Sequence, residues 1–348
     1  MSIFIPHFIP LRLRLVSSLV QRATLRPIRT ITMAASTAED TTSQRFKDQW
    51  LEDDIAAKYA RAENATRPFA EIMVQKARVG ELTGEARILD VATGTGAVIA
   101  ALHTAVGKEK LATAKIVAGD ISDSMLAYVQ KRGEKEGWKG VDVRKVDGVV
   151  SVSHRLPSPQ NEIFRRSLLT PKQKVGTDET FTHIFINFAI FVLPIDSLEQ
   201  CFKLLQPNGF VTFSSWAFFP WYPMIERAHA RLSNAPPLSS YETIKDRIYQ
   251  GRSWNADQIR EELQKANFED VEVVQKKEVV SCGTPAQFAE TMAMPLMIVV
   301  GGWPEEDRDR LRKEMLEAFE EVGVEEAGGK QSTITMEFEG IVGMGWKA

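Results

Sequence analysis

Three aspartates, Asp90, Asp120 and Asp147, each stand at the end of a short apolar run. Because the carboxyl ends of parallel strands meet at one edge of a sheet, three such acids would line one crevice. Asp90 suits a cationic amine, Asp120 can accept both hydroxyls of a ribose, and Asp147 can accept an exocyclic amine such as that of adenine. Taken singly, each acid is readily explained as a helix cap or turn former. The presence of all three acids at the ends of successive strands, in this order, indicates a nucleoside site.

A glycine-rich turn, Thr93-Gly-Thr-Gly96, follows the first of these runs. Glycine lets the backbone approach a ligand where a Cβ would collide, and a helix behind the turn presents free N–H groups. A Walker loop would end in Gly-Lys-Ser/Thr, which is absent, and a dinucleotide fingerprint would have its third glycine where Ile99 stands. Asp90 would also lie awkwardly beside a pyrophosphate. The turn therefore favours a ligand with a cationic amine.

Alternating apolar runs and helical patterns predict the elements that position these residues. Helices are expected within 42–78, and Ser122 and Asp123 are N-cap candidates for a later helix. The expected strands and intervening helices are strands 87–91, 115–119, 141–146, 183–188 and 210–214, and helices 97–106, 125–131 and 198–205. Strands that alternate with helices indicate an α/β fold with a doubly wound, mainly parallel, Rossmann-like sheet.

The pattern changes after Ser215. The segment Trp216-Ala-Phe-Phe-Pro-Trp-Tyr222 holds five aromatic residues in seven. We expect residues 216–330 to contribute lid elements. The further elements expected are helices 257–266, 286–292 and 305–321, a strand 271–280, a turn region 295–304 and a last strand 333–342.

These motifs resemble those of class I S-adenosylmethionine-dependent methyltransferases, from about Gln44 to the C-terminus. The family's cofactor turn matches Asp90-Val-Ala-Thr-Gly-Thr-Gly96, with Ala92 where a glycine is common, and a family turn matches Leu205-Gln-Pro-Asn-Gly209. The resemblance implies a seven-stranded, mainly parallel sheet with its last strand antiparallel, a helical lid, and S-adenosyl-L-methionine as cofactor. The cofactor-binding residues that it implies are Asp90, Ala92, Thr93, Gly94, Gly96, Asp120, Ile121, Met125, Asp147, Gly148 and Asn187.

A narrower resemblance connects the chain to fungal small-molecule methyltransferases. It rests on Glu63-Asn-Ala-Thr-Arg-Pro-Phe-Ala70 and on the Phe-rich fourth strand. That group includes enzymes that methylate thiols of dithiol metabolites. The resemblance therefore implies a small-molecule substrate.

Aromatic residues are the remaining candidates for the site. Tyr59 either faces the cofactor sulfonium, since an aromatic ring can face a cation, or is a helix-core residue. The aromatic segment after the fifth strand either covers an apolar substrate or pins added helices to the sheet. Arg67 either pairs with an acidic substrate or caps a helix. The candidate substrate residues are Phe188, Phe191, Trp216, Phe219 and Trp221.

The composition is that of a globular protein, with 44% hydrophobic and 26% charged residues and a formal charge of −3. Residues 1–32 contain five arginines and no acid, so the remainder carries −8, which does not favour a nucleic-acid partner. This segment is typical of a mitochondrial transit peptide. We expect a location in the mitochondrial matrix, or in the cytoplasm if translation starts at Met33. No stretch approaches the ~20 apolar residues of a membrane span, so no stable membrane association is expected.

We expect a leader over residues 1–40 and a methyltransferase domain over residues 41–348. Residues 149–174 carry three prolines and no clear periodicity, which is unusual inside a compact sheet. This stretch is either a surface insertion or intron sequence translated through a mistaken gene model. The oligomeric state is not indicated by the sequence.

Three functions are compatible with these residues: methyl transfer to a small molecule, hydride transfer with NAD(P), and cofactor binding without catalysis. Methyl transfer from a sulfonium needs mainly alignment of donor and acceptor at ~3–3.5 Å and exclusion of water. We therefore expect proximity catalysis without a metal and assign no catalytic residue. The acceptor (thiol, hydroxyl, amine or carboxylate) stays open. The histidines expected to be structural are His103, His154, His183 and His229.

Overall fold

Seven β-strands form one sheet, in the order β3-β2-β1-β4-β5-β7-β6, in a computed structural model that describes residues 55–82, 85–146, 179–325 and 333–348. The strands are β1 (Arg87–Val91), β2 (Lys115–Asp120), β3 (Val141–Lys145), β4 (Phe181–Ile186), β5 (Leu205–Phe218), β6 (Glu269–Gly283) and β7 (Ile334–Trp346). The first five strands pair in parallel. The last strand, β7, is antiparallel to both of its neighbours. The predicted α/β sheet is confirmed.

Twelve α-helices flank the sheet in the described ranges. They are α1 (Ile55–Tyr59), α2 (Glu63–Ala77), α3 (Ala97–Ala105), α4 (Lys108–Leu111), α5 (Asp123–Glu136), α6 (Ser197–Leu204), α7 (Tyr222–His229), α8 (Tyr241–Tyr249), α9 (Ala256–Lys265), α10 (Pro285–Thr291), α11 (Ala293–Val300) and α12 (Glu305–Glu325). Ser122 caps α5 as predicted, because its hydroxyl accepts a hydrogen bond from the Met125 amide at 3.4 Å.

Two expectations about residues beyond Ser215 were wrong. The fifth strand does not end at 214 but continues to Phe218, because β7 supplies a partner for it: Trp216 pairs with Gly340 and Phe218 with Glu339. The region around Pro295 is not a turn but helix α11. Pro295 stands in the first turn of that helix, where the missing N–H has no intrahelical partner to lose.

Helix α2 lies across β5, β7 and β6 and belongs to the core of the fold. Its apolar stripe is fully buried: Phe69, Ala70, Met73, Val74 and Ala77. The ring of Phe69 lies directly over Gly340 of β7, where a Cβ built on the glycine would come within 2.5 Å of the ring. This close approach brings the N-terminal end of α2 toward the carboxyl ends of the parallel strands.

The predicted leader (1–40) and the predicted insertion (149–174) lie outside the described residues, and so do Asp147 and Gly148. Both segments, and the domain boundary between 40 and 41, stay predictions. In the described part of the chain, no helix has the length and apolar character that crossing a bilayer requires.

The contact between Phe69 and Gly340 makes a test of the fold. We expect Gly340→Ala to lower the free energy of unfolding by about 1–3 kcal/mol, because the added methyl group must displace a buried ring. Urea unfolding followed by far-UV circular dichroism measures the change. Gly80→Ala is the matched control, since a Cβ at Gly80 meets nothing within 4 Å. Equal stability of the two variants would contradict this packing.

Candidate functional site

The glycine-rich turn between β1 and α3 is built from residues with left-handed backbone conformations. Ala92, Gly94 and Gly96 have φ angles of 53°, 54° and 85°. A Cβ on Gly96 would also approach the Trp138 ring to 2.9 Å, so glycine is required there by both conformation and space. Ala92 adopts a conformation that costs an alanine about 1–2 kcal/mol. The turn therefore keeps a left-handed backbone at Ala92, where the sequence has alanine in place of glycine.

Asp90 is buried at the end of β1, with 1% of its surface exposed. Its Oδ2 accepts a hydrogen bond of 2.6 Å from the Thr93 hydroxyl. Burial raises the pKa of Asp90 to about 7, with a smaller contribution from the charge of Asp120, while the Thr93 hydrogen bond opposes the rise. The carboxyl group is thus poised to change its charge near neutral pH.

Asp120 is the last residue of β2, and its carboxylate links the end of β2 to the turn that follows β1. Its Oδ2 accepts from the Gly94 amide and its Oδ1 from the Ser122 amide, both at 2.9 Å. Burial raises the pKa of Asp120, and the backbone N–H groups around it oppose that rise. Both oxygens of Asp120 are therefore held in place at the rim of the glycine-rich turn.

Helix α1 covers the start of α5 next to this carboxylate. Ile55 and Ala56 of α1 pack with Met125 in a small apolar cluster separate from the main core, and Tyr59 and Tyr128 border it. Burial, followed by the charges of Glu63 and Asp120, raises the pKa of the Tyr59 phenol to about 12. Tyr59 is thus neutral at physiological pH and lies in the electrostatic field of Glu63 and Asp120. Ile121, which precedes α5, is half-buried.

The end of β4 is held by a serine of β5. Ser214 Oγ donates to Asn187 Oδ1 at 2.8 Å and accepts from the Phe188 amide at 2.9 Å. Phe188 has a φ of 51°, and its ring stacks on Trp216 with a centroid distance of 3.8 Å. Phe69 of α2 meets both rings edge-on.

The five predicted substrate residues fall into two groups. Phe188 and Trp216 form the stacked pair beside α2. The other three contact helix α8 or one another: Phe191 and Phe219 pack on Tyr249, and Phe219 packs on Trp221. The Tyr249 hydroxyl donates to the Trp216 carbonyl. The aromatic segment therefore does pin helix α8 to the sheet, which is one of the two expected interpretations, and Trp216 is half-buried.

A buried ion pair that the sequence analysis missed lies beside the turn. Glu63 Oε2 accepts hydrogen bonds of 2.6 Å from both the Thr95 hydroxyl and Arg132 Nη1. The only signal in the sequence was the Glu63–Ala70 segment, whose pattern indicates a family resemblance and not an ion pair. Arg67, in contrast, neither caps a helix nor is buried: it lies within α2 and pairs with Glu63 and Glu71 at 3.7 and 3.6 Å.

The three described histidines each contact the backbone away from the strand ends. His103 bonds to the Ile99 carbonyl, His183 to the Ala77 carbonyl and His229 to the Pro236 carbonyl. Burial lowers the pKa of His183 to about 4. Among the described residues, no group of three or more His, Cys, Asp or Glu side chains could hold a metal ion.

Comparisons with known proteins agree with this geometry. Residues 67–164 match the model of the ubiE/COQ5 methyltransferase family. Methyltransferase ktnA of Aspergillus niger is 27% identical over 79% of this chain and 90% of its own length. The acetylaranotin bis-thiomethyltransferase of Aspergillus terreus is 26% identical over 80% of this chain and 89% of its own length. Methyltransferase tpcH of Aspergillus fumigatus is 23% identical over 74% and 84%.

These matches favour methyl transfer over the nicotinamide alternative. Ile99 also opposes that alternative, because it is fully buried in α3 where a dinucleotide fingerprint has glycine. The glycine-rich turn, the strand-end acids and the matches over most of the chain lead to one conclusion. The chain is an S-adenosylmethionine-dependent methyltransferase.

Proposed function

We propose that the crevice at the ends of β1, β2 and β4 binds S-adenosylmethionine and that the enzyme methylates a thiol of an apolar small molecule. The observation that carries the cofactor assignment is the joint attachment of two buried carboxylates to one glycine-rich turn. Asp90 bonds to Thr93, and Asp120 bonds to Gly94. Neutral turn residues alone would serve many ligands, whereas two acids beside them suit a cationic nucleoside.

Each predicted cofactor residue has a distinct role in this proposal. Asp90 binds the cofactor amine, and Asp120 accepts the ribose hydroxyls. The turn residues Ala92, Thr93, Gly94 and Gly96 allow the backbone to approach the methionine portion. Ile121 and Met125 would hold the adenine ring, Asn187 would help to hold the methionine portion, and Tyr59 would close the site from α1. Asp147 and Gly148, outside the described residues, complete the adenine pocket as a prediction.

The acceptor is proposed to be a thiol because, apart from the carboxylates assigned to the cofactor, the described part of the site offers a poor base. The Tyr59 phenol has a pKa raised to about 12, so its phenolate is scarce at neutral pH. The described histidines face elsewhere. A free thiol ionises with a pKa of ~8.5 and reacts well without a dedicated base. The similarity to a bis-thiomethyltransferase supports the same acceptor.

The reaction balances without a further reagent. The thiol gives its proton to solvent, its sulfur forms a bond to the methyl carbon, and the carbon–sulfonium bond breaks. The electron pair of that bond stays on the cofactor sulfur, which becomes the neutral thioether of S-adenosylhomocysteine. The stacked rings of Phe188 and Trp216 supply an apolar wall that aligns the acceptor and excludes water. The protein's contribution is thus mainly alignment.

The ribose assignment predicts a loss of affinity on removal of one carboxylate. We expect Asp120→Ala to weaken binding of S-adenosylhomocysteine by about 1–3 kcal/mol, as for a lost buried hydrogen bond to a charged group. Isothermal titration calorimetry measures the change. Asp123→Ala is the matched control, because Asp123 is three residues away with 79% of its side chain exposed. A folded Asp120→Ala protein with unchanged affinity would refute the assignment.

The raised pKa of Asp90 predicts proton release when the cofactor binds. With a folded-state pKa of about 7, well above the ordinary ~3.9, the free enzyme holds this proton at pH 6 and loses it as the pH rises through 7. A cationic amine favours the carboxylate, so binding at pH 6.5 should release more than half a proton. Titrations in buffers of different ionisation enthalpy measure it. Asp90→Asn should abolish the release; a buffer-independent enthalpy in the wild type would contradict the role.

The acceptor assignment predicts a preference among small molecules. We expect labelled methyl groups to pass from S-adenosylmethionine to apolar monothiols and dithiols, with kcat/KM rising tenfold per pH unit up to the acceptor pKa of ~8.5. A parallel series of phenols, amines and carboxylates of similar shape tests the alternatives. If only phenols are methylated, the proposed thiol acceptor is wrong and the acceptor is a hydroxyl group.

A further inference from the structure

The carboxylate of Glu63 connects the N-terminal helix α2 to the glycine-rich turn. Glu63 is in the first turn of α2 and only 6% exposed, although it is charged. Its Oε2 accepts from the Thr95 hydroxyl and from Arg132 Nη1. The same Nη1 donates to the Thr95 carbonyl at 2.8 Å. Three elements distant in sequence, α2, the turn and α5, thus meet in one triangle of hydrogen bonds.

The position of Arg132 in this triangle is fixed from its other side. Arg132 Nε pairs with Glu136 at 2.8 Å, and the guanidinium lies over the Trp138 ring, 5.2 Å from its centroid. Trp138 in turn closes on Gly96, the residue after Thr95. Arg132 and Trp138 therefore bracket the turn, and Glu63 supplies the negative charge that a half-buried guanidinium needs on the side of α2.

Thr95 transmits this arrangement to the residues that face the proposed cofactor. It stands between Gly94, whose amide donates to Asp120, and Gly96, which begins α3. A shift of Thr95 would move the Gly94 amide relative to the Asp120 carboxylate. A displacement of about 1 Å at a positioning group can cost two orders of magnitude in function.

We propose that Glu63 is a positioning residue for S-adenosylmethionine: through Thr95 and Arg132 it makes the shape of the glycine-rich turn depend on the docking of α2. The inference rests on the proposed cofactor site. In this proposal Glu63 acts through Thr95 and Arg132 and would make no contact of its own with cofactor or acceptor. Removing the Glu63 carboxylate should lower the affinity for the cofactor. Once the site is saturated, the bound cofactor should still be aligned with the acceptor.

The core of α2 offers a way to separate this role from folding. The helix is anchored by its buried apolar stripe, including Phe69 and Met73, and not by Glu63 alone. A neutral, isosteric glutamine at position 63 should therefore leave the fold intact. It keeps an oxygen that can accept one hydrogen bond but removes the charge that faces Arg132.

The test compares Glu63→Gln and Thr95→Val with Glu71→Gln, a control on the same helix whose side chain is 58% exposed. We expect the first two variants to raise the Kd for S-adenosylhomocysteine about tenfold in calorimetry, and to raise KM for S-adenosylmethionine with kcat within twofold. The control should change neither value by more than twofold. Amide hydrogen exchange of residues 93–97 should be faster in Glu63→Gln than in the control.

The double variant distinguishes coupling from two separate defects. If Glu63 acts through Thr95, Glu63→Gln with Thr95→Val should bind no more than about twofold more weakly than either single variant. Folded variants with wild-type Kd, or a fall in kcat at unchanged KM, would overturn the proposal; if Glu63→Gln does not fold, Thr95→Val alone decides. If the wild-type protein binds no S-adenosylhomocysteine, the proposed cofactor site is overturned as well. If the wild-type protein and the Glu63 and Thr95 variants bind it equally and only Asp120→Ala binds it weakly, the cofactor site stands and only the role of Glu63 is overturned.

Discussion

The hydrogen bond from the Gly94 amide to the Asp120 carboxylate is the contact on which the organisation of the site depends. It joins the turn after β1 to the end of β2, and the parallel pairing of these strands places both at the same edge of the sheet. The turn reaches Asp120 only because Ala92 and Gly94 adopt left-handed conformations. One backbone donor thus converts two neighbouring strand ends into a single concave surface, as expected at a switch point of a doubly wound sheet.

The N-terminal helices α1 and α2 pack beside the glycine-rich turn and Asp120 and complete this concave surface. Helix α2 is fixed near its middle by the contact of Phe69 with Gly340 and at its N-terminus by Glu63. Helix α1 packs through Ile55 on Met125 in a small cluster of its own. Because this cluster is separate from the main core, less apolar burial holds α1 than α2. The part of the cover that lies over Asp120 is therefore the part that local opening would release first.

The sequence predicted the elements whose signals are local. The strands and the glycine-rich turn follow from short apolar runs and from glycine, and Ser122 acts as the N-cap that its position suggested. The pairing of Glu63 with Arg132 was not predicted, since it joins residues 69 positions apart that meet only after α2 has docked. The extension of β5 to Phe218 likewise depends on β7, more than a hundred residues later.

The aromatic segment 216–222 is a second case in which contacts between residues distant in sequence could not be predicted from the sequence. Its composition indicated either an apolar wall for a substrate or a structural cluster. The structure shows the structural cluster, and the substrate wall stays a proposal. Strand β5 continues through Trp216, so this ring stays beside Phe188. Phe219, three residues on, lies beyond the strand and packs on Tyr249 of a helix that the sequence analysis did not predict.

The two described site acids differ in how their negative charge is stabilised. Both oxygens of Asp120 accept hydrogen bonds from backbone N–H groups, those of Gly94 and Ser122. Asp90 instead accepts a hydrogen bond from a side chain, the hydroxyl of Thr93. Backbone amides can only donate, so they favour a carboxylate, while a hydroxyl can also accept from a protonated acid. Two adjacent buried acids cannot both ionise cheaply. In the free enzyme Asp90 therefore keeps its proton until the pH approaches its pKa of about 7, and a bound cation would favour its carboxylate at lower pH.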